Sequence, residues 1–169
     1  MKKLARDFFD RPTLDVAKDL LGKEIYFYGK KGVITETEAY IGQDDPACHA
    51  ARGKTPRNAV MFGKAGFSYV YLIYGMYHCL NFVTEGEGMP AAVLIRGVKI
   101  EGVADKEANG PGKLCRFLGI TREHDNVDLI NSDKFFVVDS GVEPDFIETA
   151  RVGISQGQDK LWRFIATKD

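Results

Sequence analysis

The chain is short of everything that would staple, anchor or extend it. Three cysteines occur in 169 residues, Cys48, Cys79 and Cys115. They are odd in number and widely spaced, and none forms a C-x-x-C pair. That argues against a secreted disulfide framework and against a structural zinc site, and for a reducing cytoplasm. No apolar stretch approaches the roughly 20 residues that span a bilayer, so no membrane association is expected. Met1-Lys2-Lys3-Leu4-Ala5-Arg6-Asp7 has no apolar run behind its charges and does not read as a signal peptide. Internal repeats and low-complexity tracts are absent. So is an excess of charge: 23 Lys and Arg stand against 24 Asp and Glu, for a net −1. Taken as a sum, that weakens a polyanionic partner.

What is present describes an ordinary globular protein, 44% hydrophobic and 28% charged. A chain of this length buries roughly 70% of its unfolded surface and needs no staple. The charges are unevenly placed. No acidic residue lies between Asp45 and Glu85, where Arg52, Lys54, Arg57 and Lys64 fall. From Glu123 to Glu148 the balance reverses, with Lys134 the single Lys or Arg among eight carboxylates. One surface is thereby suited to a polyanion and another to solvent.

The local patterns predict a short helix from Thr13, its expected N-cap, to Gly22 as the C′ residue. Glu24–Tyr28 and Val33–Tyr40 read as paired strands joined by a Gly29–Gly32 turn. Tyr69–Tyr74 and Tyr77–Thr84 are strands hinged at Gly75, and Ala91–Lys99, Phe135–Asp139 and Leu161–Ala166 are further strands. Lys113–Leu118 reads as a helix closed by Gly119. Asp44–Gly66 is a long, turn-rich loop, which in a compact domain is usually functional. The expected fold class is α+β: a single domain over 1–169, with a curved, largely antiparallel sheet flanked by short helices.

Three segments carry chemistry. In Thr35-Glu36-Thr37-Glu38-Ala39-Tyr40 alternate residues share a strand face, so Ile34, Glu36, Glu38 and Tyr40 point one way, with the carboxylates roughly 6–7 Å apart. Partly buried, such a pair suits acid or base catalysis; on a solvent face it is ordinary charge. Tyr69, Tyr71, Tyr74 and Tyr77 are either cross-strand packing or a platform on which a base stacks. Tyr74, beside a glycine at a bend, is placed to enter a base stack. Gly110-Pro111-Gly112-Lys113 at a helix start offers free N–H groups and a lysine to a phosphate, without the spacing of a Walker loop. His49 follows Cys48, but adjacent residues rarely orient as nucleophile and base and no further ligand cluster is in range, so it reads as a pocket residue with no metal. Asn81, on a strand, is a satisfied structural amide or a reader of a base edge.

These segments occur in a telling order: Ala17-x-x-Leu20-Leu21-Gly22-Lys23, Thr37-Glu38-Ala39-Tyr40, Asp45-Pro46-Ala47-Cys48-His49, Thr55-Pro56-Arg57-Asn58, Met61-Phe62, Tyr69-Val70-Tyr71, Tyr74-Gly75-Met76-Tyr77, Val93-Leu94-Ile95-Arg96, Gly110-Pro111-Gly112-Lys113-Leu114-Cys115 and Ala150-Arg151-Val152-Gly153-Ile154. Across nearly the whole chain they resemble the alkyladenine (3-methyladenine) DNA glycosylase family, the methylpurine-DNA glycosylase type. Thr-Glu-Ala-Tyr and Tyr-Gly-Met-Tyr at this separation are the most specific. The resemblance implies a cofactor-independent base-excision-repair enzyme acting on alkylated or deaminated purines in double-stranded DNA and leaving an abasic site. By it, Glu38 matches the general base that activates water, Arg96 the arginine that holds that glutamate and water, and Tyr74 the intercalating tyrosine. Tyr40, His49 and Tyr71 match the pocket for the extruded base, and Asn81 the asparagine that rejects the guanine 2-amino group. Arg57, Lys64, Gly112 and Lys113 are the candidate phosphate contacts. Between Arg96 and Gly110 the chain has only Gly97–Asn109, where the family resemblance implies a longer basic insert. The expected state is a cytoplasmic, nucleoid-associated monomer. Two other classes fit parts of the pattern. A nucleoside or sugar glycosidase would use Glu36 and Glu38 and need no wedge at Tyr74. A non-catalytic nucleic-acid-binding module would be indifferent to loss of Glu38.

Overall fold

Alternation along the strands sorts side chains into two layers, and the structure buries both. It is a computed structural model that describes residues 2–42 and 44–167. The strands are β1 (Lys2–Lys3), β2 (Glu24–Phe27), β3 (Lys30–Ile41), β4 (Ser68–Ile73), β5 (Tyr77–Val83), β6 (Ala91–Lys99), β7 (Phe135–Asp139), β8 (Phe146–Thr149) and β9 (Arg163–Ala166). The helices are α1 (Arg6–Phe9), α2 (Thr13–Asp19) and α3 (Pro111–Leu118), with 3₁₀ turns at His49–Arg52 and Ala59–Phe62 in the long loop. The strands form one curved antiparallel sheet in the order β1-β7-β2-β3-β6-β5-β4, and β9 pairs with both β3 and β8. The architecture is α+β, as expected.

Val70, Leu80, Phe82, Val93 and Ile95 point to one face and form a core with Leu20, Leu21, Leu114 and Phe135. Their alternates Tyr69, Val83 and Ala92 point to the other face, where they pack with Cys48, Ala50 and Met61 of the long loop. The loop therefore roofs one face of the sheet while α2 and α3 cover the other, and each parity along the strands has its own apolar partner.

Several boundaries differ from the sequence expectation for physical reasons. Thr13 is not a cap. Pro12 takes that position, and the Thr13 hydroxyl bonds Thr84 and Glu85 instead. The β2–β3 link is two residues, not four. Tyr28 and Gly29 both have positive φ, 47° and 84°, so a tight mirror-image turn lets Phe27 pair with Lys30. In β3 the register shifts on both sides of Glu36. This bulge breaks the alternation and leaves Ile34 in the core, on the face opposite Glu36 and Glu38. β1, α1 and β8 were not expected; they are short and carry no periodicity to read.

β4 ends the sheet, and its outer edge is not open. Ser68 exchanges backbone bonds with the Asn126 amide and the Val127 carbonyl, 2.8 and 2.9 Å, and the Val70 amide donates to the Asp125 carboxylate, 2.8 Å. Asp128 in the same acidic stretch forms a two-pronged ion pair with Arg6, at 2.8 and 2.9 Å. Phe82 is wholly buried on the α2 side, edge-on to Phe9 at 5.9 Å. Phe82→Ala should therefore cost about 3–5 kcal/mol of stability in urea unfolding; a loss under about 1 kcal/mol would show that this face is not the principal core.

Candidate active site

Residues directly opposite one another in an antiparallel sheet stand on the same face. Glu38 is opposite Leu94 on one side and Arg163 on the other, Leu94 is opposite Asn81, and Asn81 is opposite Tyr69. Arg163, Glu38, Leu94, Asn81 and Tyr69 thus form one row across β9, β3, β6, β5 and β4. Over this row lies a cavity of about 470 Å³, lined by Tyr40, His49, Tyr71, Asn81 and Arg96 among others, and walled on one side by Val152–Gln156. That volume is in the small-molecule range.

Glu38 lies just behind the floor with no exposed surface. Each neighbour that holds its carboxylate faces the cavity. Oε1 accepts from the Tyr40 hydroxyl at 2.8 Å, and Oε2 accepts from the Val152 amide at 2.7 Å. Arg96 Nε is 3.8 Å from Glu38 Oε2 and donates to Glu36 Oε2 at 3.2 Å, where Arg163 Nε also donates, at 2.7 Å. Glu36 therefore anchors two arginines beside Glu38. Burial pushes the Glu38 carboxyl above the ordinary range; Arg96, the Val152 amide, Tyr40 and Arg163 pull it part of the way back. The Tyr40 phenol is pushed up by burial and by the Glu38 charge, so it stays protonated and remains a donor.

The opposite wall is aromatic. His49 Nδ1 is 2.9 Å from the Tyr69 hydroxyl, and the His49 and Tyr71 rings meet at 4.3 Å and 65°. Although His49 opens toward solvent, crowding by the wall and then the Arg57 charge hold its pKa below the usual value, which keeps the imidazole neutral at neutral pH. Asn81 donates one amide hydrogen to the Tyr69 carbonyl at 3.2 Å.

Six of the expected site residues, Glu38, Arg96, Tyr40, His49, Tyr71 and Asn81, meet at this one cavity. Tyr74 stands at its rim in the β4–β5 turn, 87% exposed, with φ of 52°. Arg57 is also at the rim, its guanidinium 5.5 Å from the Tyr71 ring centre and donating to the Leu72 carbonyl at 2.7 Å. Gly112 fits against Tyr77, whose ring lies 2.8 Å from where a Cβ would be, and Lys113 beside it is exposed. Lys64 is not brought to the cavity. It borders a separate shallow depression with Phe67 and Asn126. Reading the sequence missed the Val152 amide and Arg163, and gave Asp45 and Arg151 no role. Asp45 and Arg151 form a wholly buried pair across 106 residues, at 2.7 and 3.0 Å. Nothing local signals that pairing; an Asp beside another Asp in a turn and a single Arg in a loop look solvated. Among the described residues no group of three or more His, Cys, Asp or Glu is placed to hold a metal ion, and no helix is long and apolar enough to cross a membrane.

A family model described as methylpurine-DNA glycosylase matches residues 7–169. The chain belongs to the methylpurine-DNA glycosylase family. A protein of Rickettsia felis named as a 3-methyladenine DNA glycosylase is 60% identical over 164 residues, 97% of this chain and 93% of its own length. A Sodalis glossinidius protein of the same name is 62% identical over 161 residues, 95% of each chain. One from Wolbachia pipientis is 58% identical, covering 95% of this chain and 89% of its own. As a DNA glycosylase, the protein is an enzyme of DNA repair.

In this methylpurine-DNA glycosylase the burial of Glu38 has a thermodynamic consequence with a definite sign. A folded pKa raised above the unfolded value means that the native state holds the ionised form less well. The penalty is fully present above the folded pKa and disappears as pH falls through it toward 4.5, the ordinary value. Glu38→Gln should therefore melt at a higher temperature than the wild type at pH 7.5, with the difference shrinking toward pH 4.5. A lower melting temperature at pH 7.5 would show that the hydrogen bonds outweigh the desolvation.

Proposed function

We propose that the protein is a monofunctional glycosylase that extrudes an alkylated or deaminated purine, of the 3-methyladenine, 7-methylguanine, hypoxanthine or ethenoadenine class, from double-stranded DNA. It then hydrolyses the N-glycosidic bond with a water activated by Glu38 and leaves an abasic site. Residues 1–169 act as one domain, without a cofactor, as a cytoplasmic monomer bound to the nucleoid through DNA. The observation that carries the reading is a buried carboxylate directly behind a base-sized aromatic cavity, with Tyr74 protruding at the rim.

A base within the stack shields its sugar bond, so it must be flipped, at a few kcal/mol. Tyr74 fills the gap and offsets lost stacking. The extruded purine lies between Tyr40, His49 and Tyr71; a neutral His49 adds no charge against a cationic alkylated base, which gains from the tyrosine faces. Asn81 reads the base edge and excludes the guanine 2-amino group. Each carboxylate oxygen has two acceptor sites, so the Tyr40 and Val152 bonds leave lone pairs on Glu38 for a water. As the bond to the base lengthens, the sugar acquires oxocarbenium character, which the carboxylate stabilises while its water attacks. The proton passes to Glu38, and water as the nucleophile leaves no step for strand cleavage. Arg96 orients the carboxylate and water. Arg57, Gly112 and Lys113 make phosphate contacts near the rim, and Lys64 makes one further along the duplex.

Two carboxylates in the manner of a sugar glycosidase have no support, because Glu36 is held by Arg96 and Arg163 rather than facing a substrate. Single-turnover cleavage of duplexes carrying one hypoxanthine or one 3-methyladenine tests the proposal. Glu38→Gln should lose about 10²–10⁴-fold in rate while still binding DNA. The wild-type rate should rise with pH through a midpoint above 4.5, because the base works ionised. Cleavage retained in Glu38→Gln would remove the assignment. Tyr74→Ser should reduce the flipping signal of a fluorescent base analogue; an unchanged signal would take the wedge role from Tyr74. Affinity should fall with salt more gently than for a strongly basic protein, given the net charge of −1, and a flat response would argue against phosphate contacts.

A further inference from the structure

We propose that the buried Asp45–Arg151 ion pair is a positioning strut for the catalytic glutamate: it sets the Val152 amide against Glu38 and holds the 152–157 segment as a wall of the cavity. The inference rests on the assignment of Glu38 as the base. Neither residue touches Glu38 itself, so both are positioning residues.

The pair ties β3 to the start of the long loop and to the segment that carries the Val152 amide. Arg151 donates from Nη1 to Asp45 Oδ2 at 2.7 Å and from Nη2 to Asp45 Oδ1 at 3.0 Å. Nη1 also donates to the Ala39 carbonyl, 3.0 Å away on β3 between Glu38 and Tyr40. Nη2 reaches the Gly157 carbonyl at 3.4 Å, across the far end of the wall. Asp45 in turn accepts the Ile41 and Ala47 amides, both at 3.1 Å, which fixes the end of β3 and the start of the loop that carries His49. The guanidinium lies over the rings of Tyr40 and Trp162, at 4.8 and 5.0 Å. The residue immediately after Arg151 donates its backbone N–H to Glu38.

The arrangement is poor as plain stabilisation. Two charges removed from water recover no more, and often less, than an apolar pair of the same volume would give. Among the described residues the buried Arg151 Nε also finds no acceptor. What a fork-on-carboxylate contact supplies is direction, since two parallel bonds fix a plane where apolar packing would not. Gly157 confirms how close the approach is. A Cβ there would come within 2.7 Å of Arg151 Nη2, and its φ of 76° is one that side chains rarely adopt.

The readout is the acid limb of the cleavage rate, because the Val152 amide is one of the groups that hold Glu38 ionised. The other charged or titratable groups facing Glu38 are Glu36 and Tyr40 from β3, Arg96 from β6, Arg163 from β9 and Cys79 from β5. None of these changes in the variants. Single-turnover rates with saturating enzyme should be measured from pH 4.5 to 9 for wild type, Asp45→Asn and Arg151→Lys. With active enzyme in saturating excess over the DNA, a misfolded fraction changes neither the rate nor the amplitude. Asp45→Asn should cleave about 10- to 100-fold more slowly, as expected for a misplaced catalytic group, with its acid limb displaced to higher pH. Arg151→Lys, which keeps the charge but loses the fork, should shift the limb the same way. If either single variant fails to fold, Asp45→Asn combined with Arg151→Gln, which buries no net charge, takes its place. A displaced limb supports the strut. An acid limb unmoved in the folded variants overturns it, whatever the rate. Glu38→Gln run alongside separates the two readings: cleavage by that variant would defeat the base assignment, whereas its inactivity with unmoved limbs would defeat only the strut.

Discussion

A carboxylate taken wholly out of water must find donors to replace its hydration, and meeting that requirement for Glu38 organises this protein. A hydroxyl from two residues away on β3, an amide from the 151–157 segment and a guanidinium from β6 converge on it. They can do so because β3 is the longest strand and changes partners along its length, from β2 to β9 on one side while β6 stays on the other. The bulge around Glu36 belongs to the same solution. It turns both glutamates to the cavity face while Ile34, nearby in sequence, enters the core on the other.

The two faces of the sheet divide the labour. On the α2 and α3 side the core is apolar, with Phe82 edge-on to Phe9 and tilted against Phe135. The cavity side carries a desolvated Glu38, a buried arginine nitrogen that finds no acceptor among the described residues, and a tyrosine in left-handed backbone at Tyr74. Departures of this kind are common where a fold carries function.

Much of this was legible in the chain. Short apolar runs announced β5 and β6, and the Gly119 stop announced the end of α3, because those signals are local and physical. The short hairpin at Tyr28-Gly29 was hidden because tyrosine is an unusual residue for a left-handed turn position. The bulge was hidden because one extra residue changes parity without changing composition. For the site, the residues carried by recognisable motifs came together as expected. Lys64, expected only as a phosphate contact, lies away from the cavity, a placement that a count of basic residues along the sequence does not reveal. The Asp45–Arg151 pair was out of reach for a different reason: its partners are 106 positions apart and each looks like surface charge.

The clasp along the outer edge of β4 bears on more than the edge. A strand whose two faces are both buried has only one acceptable register, and a slip of one residue would exchange its faces entirely. In β4 that exchange would send Tyr69 and Tyr71 into the aliphatic core and present Val70 and Leu72 to the cavity. The bonds from Ser68 and Val70 to residues 125–127 oppose such a slip from outside the sheet. The acidic loop thereby acts as a register lock on the strand that carries two of the cavity's tyrosines, and damage to it would exchange what the two faces of β4 present before it unfolded the rest.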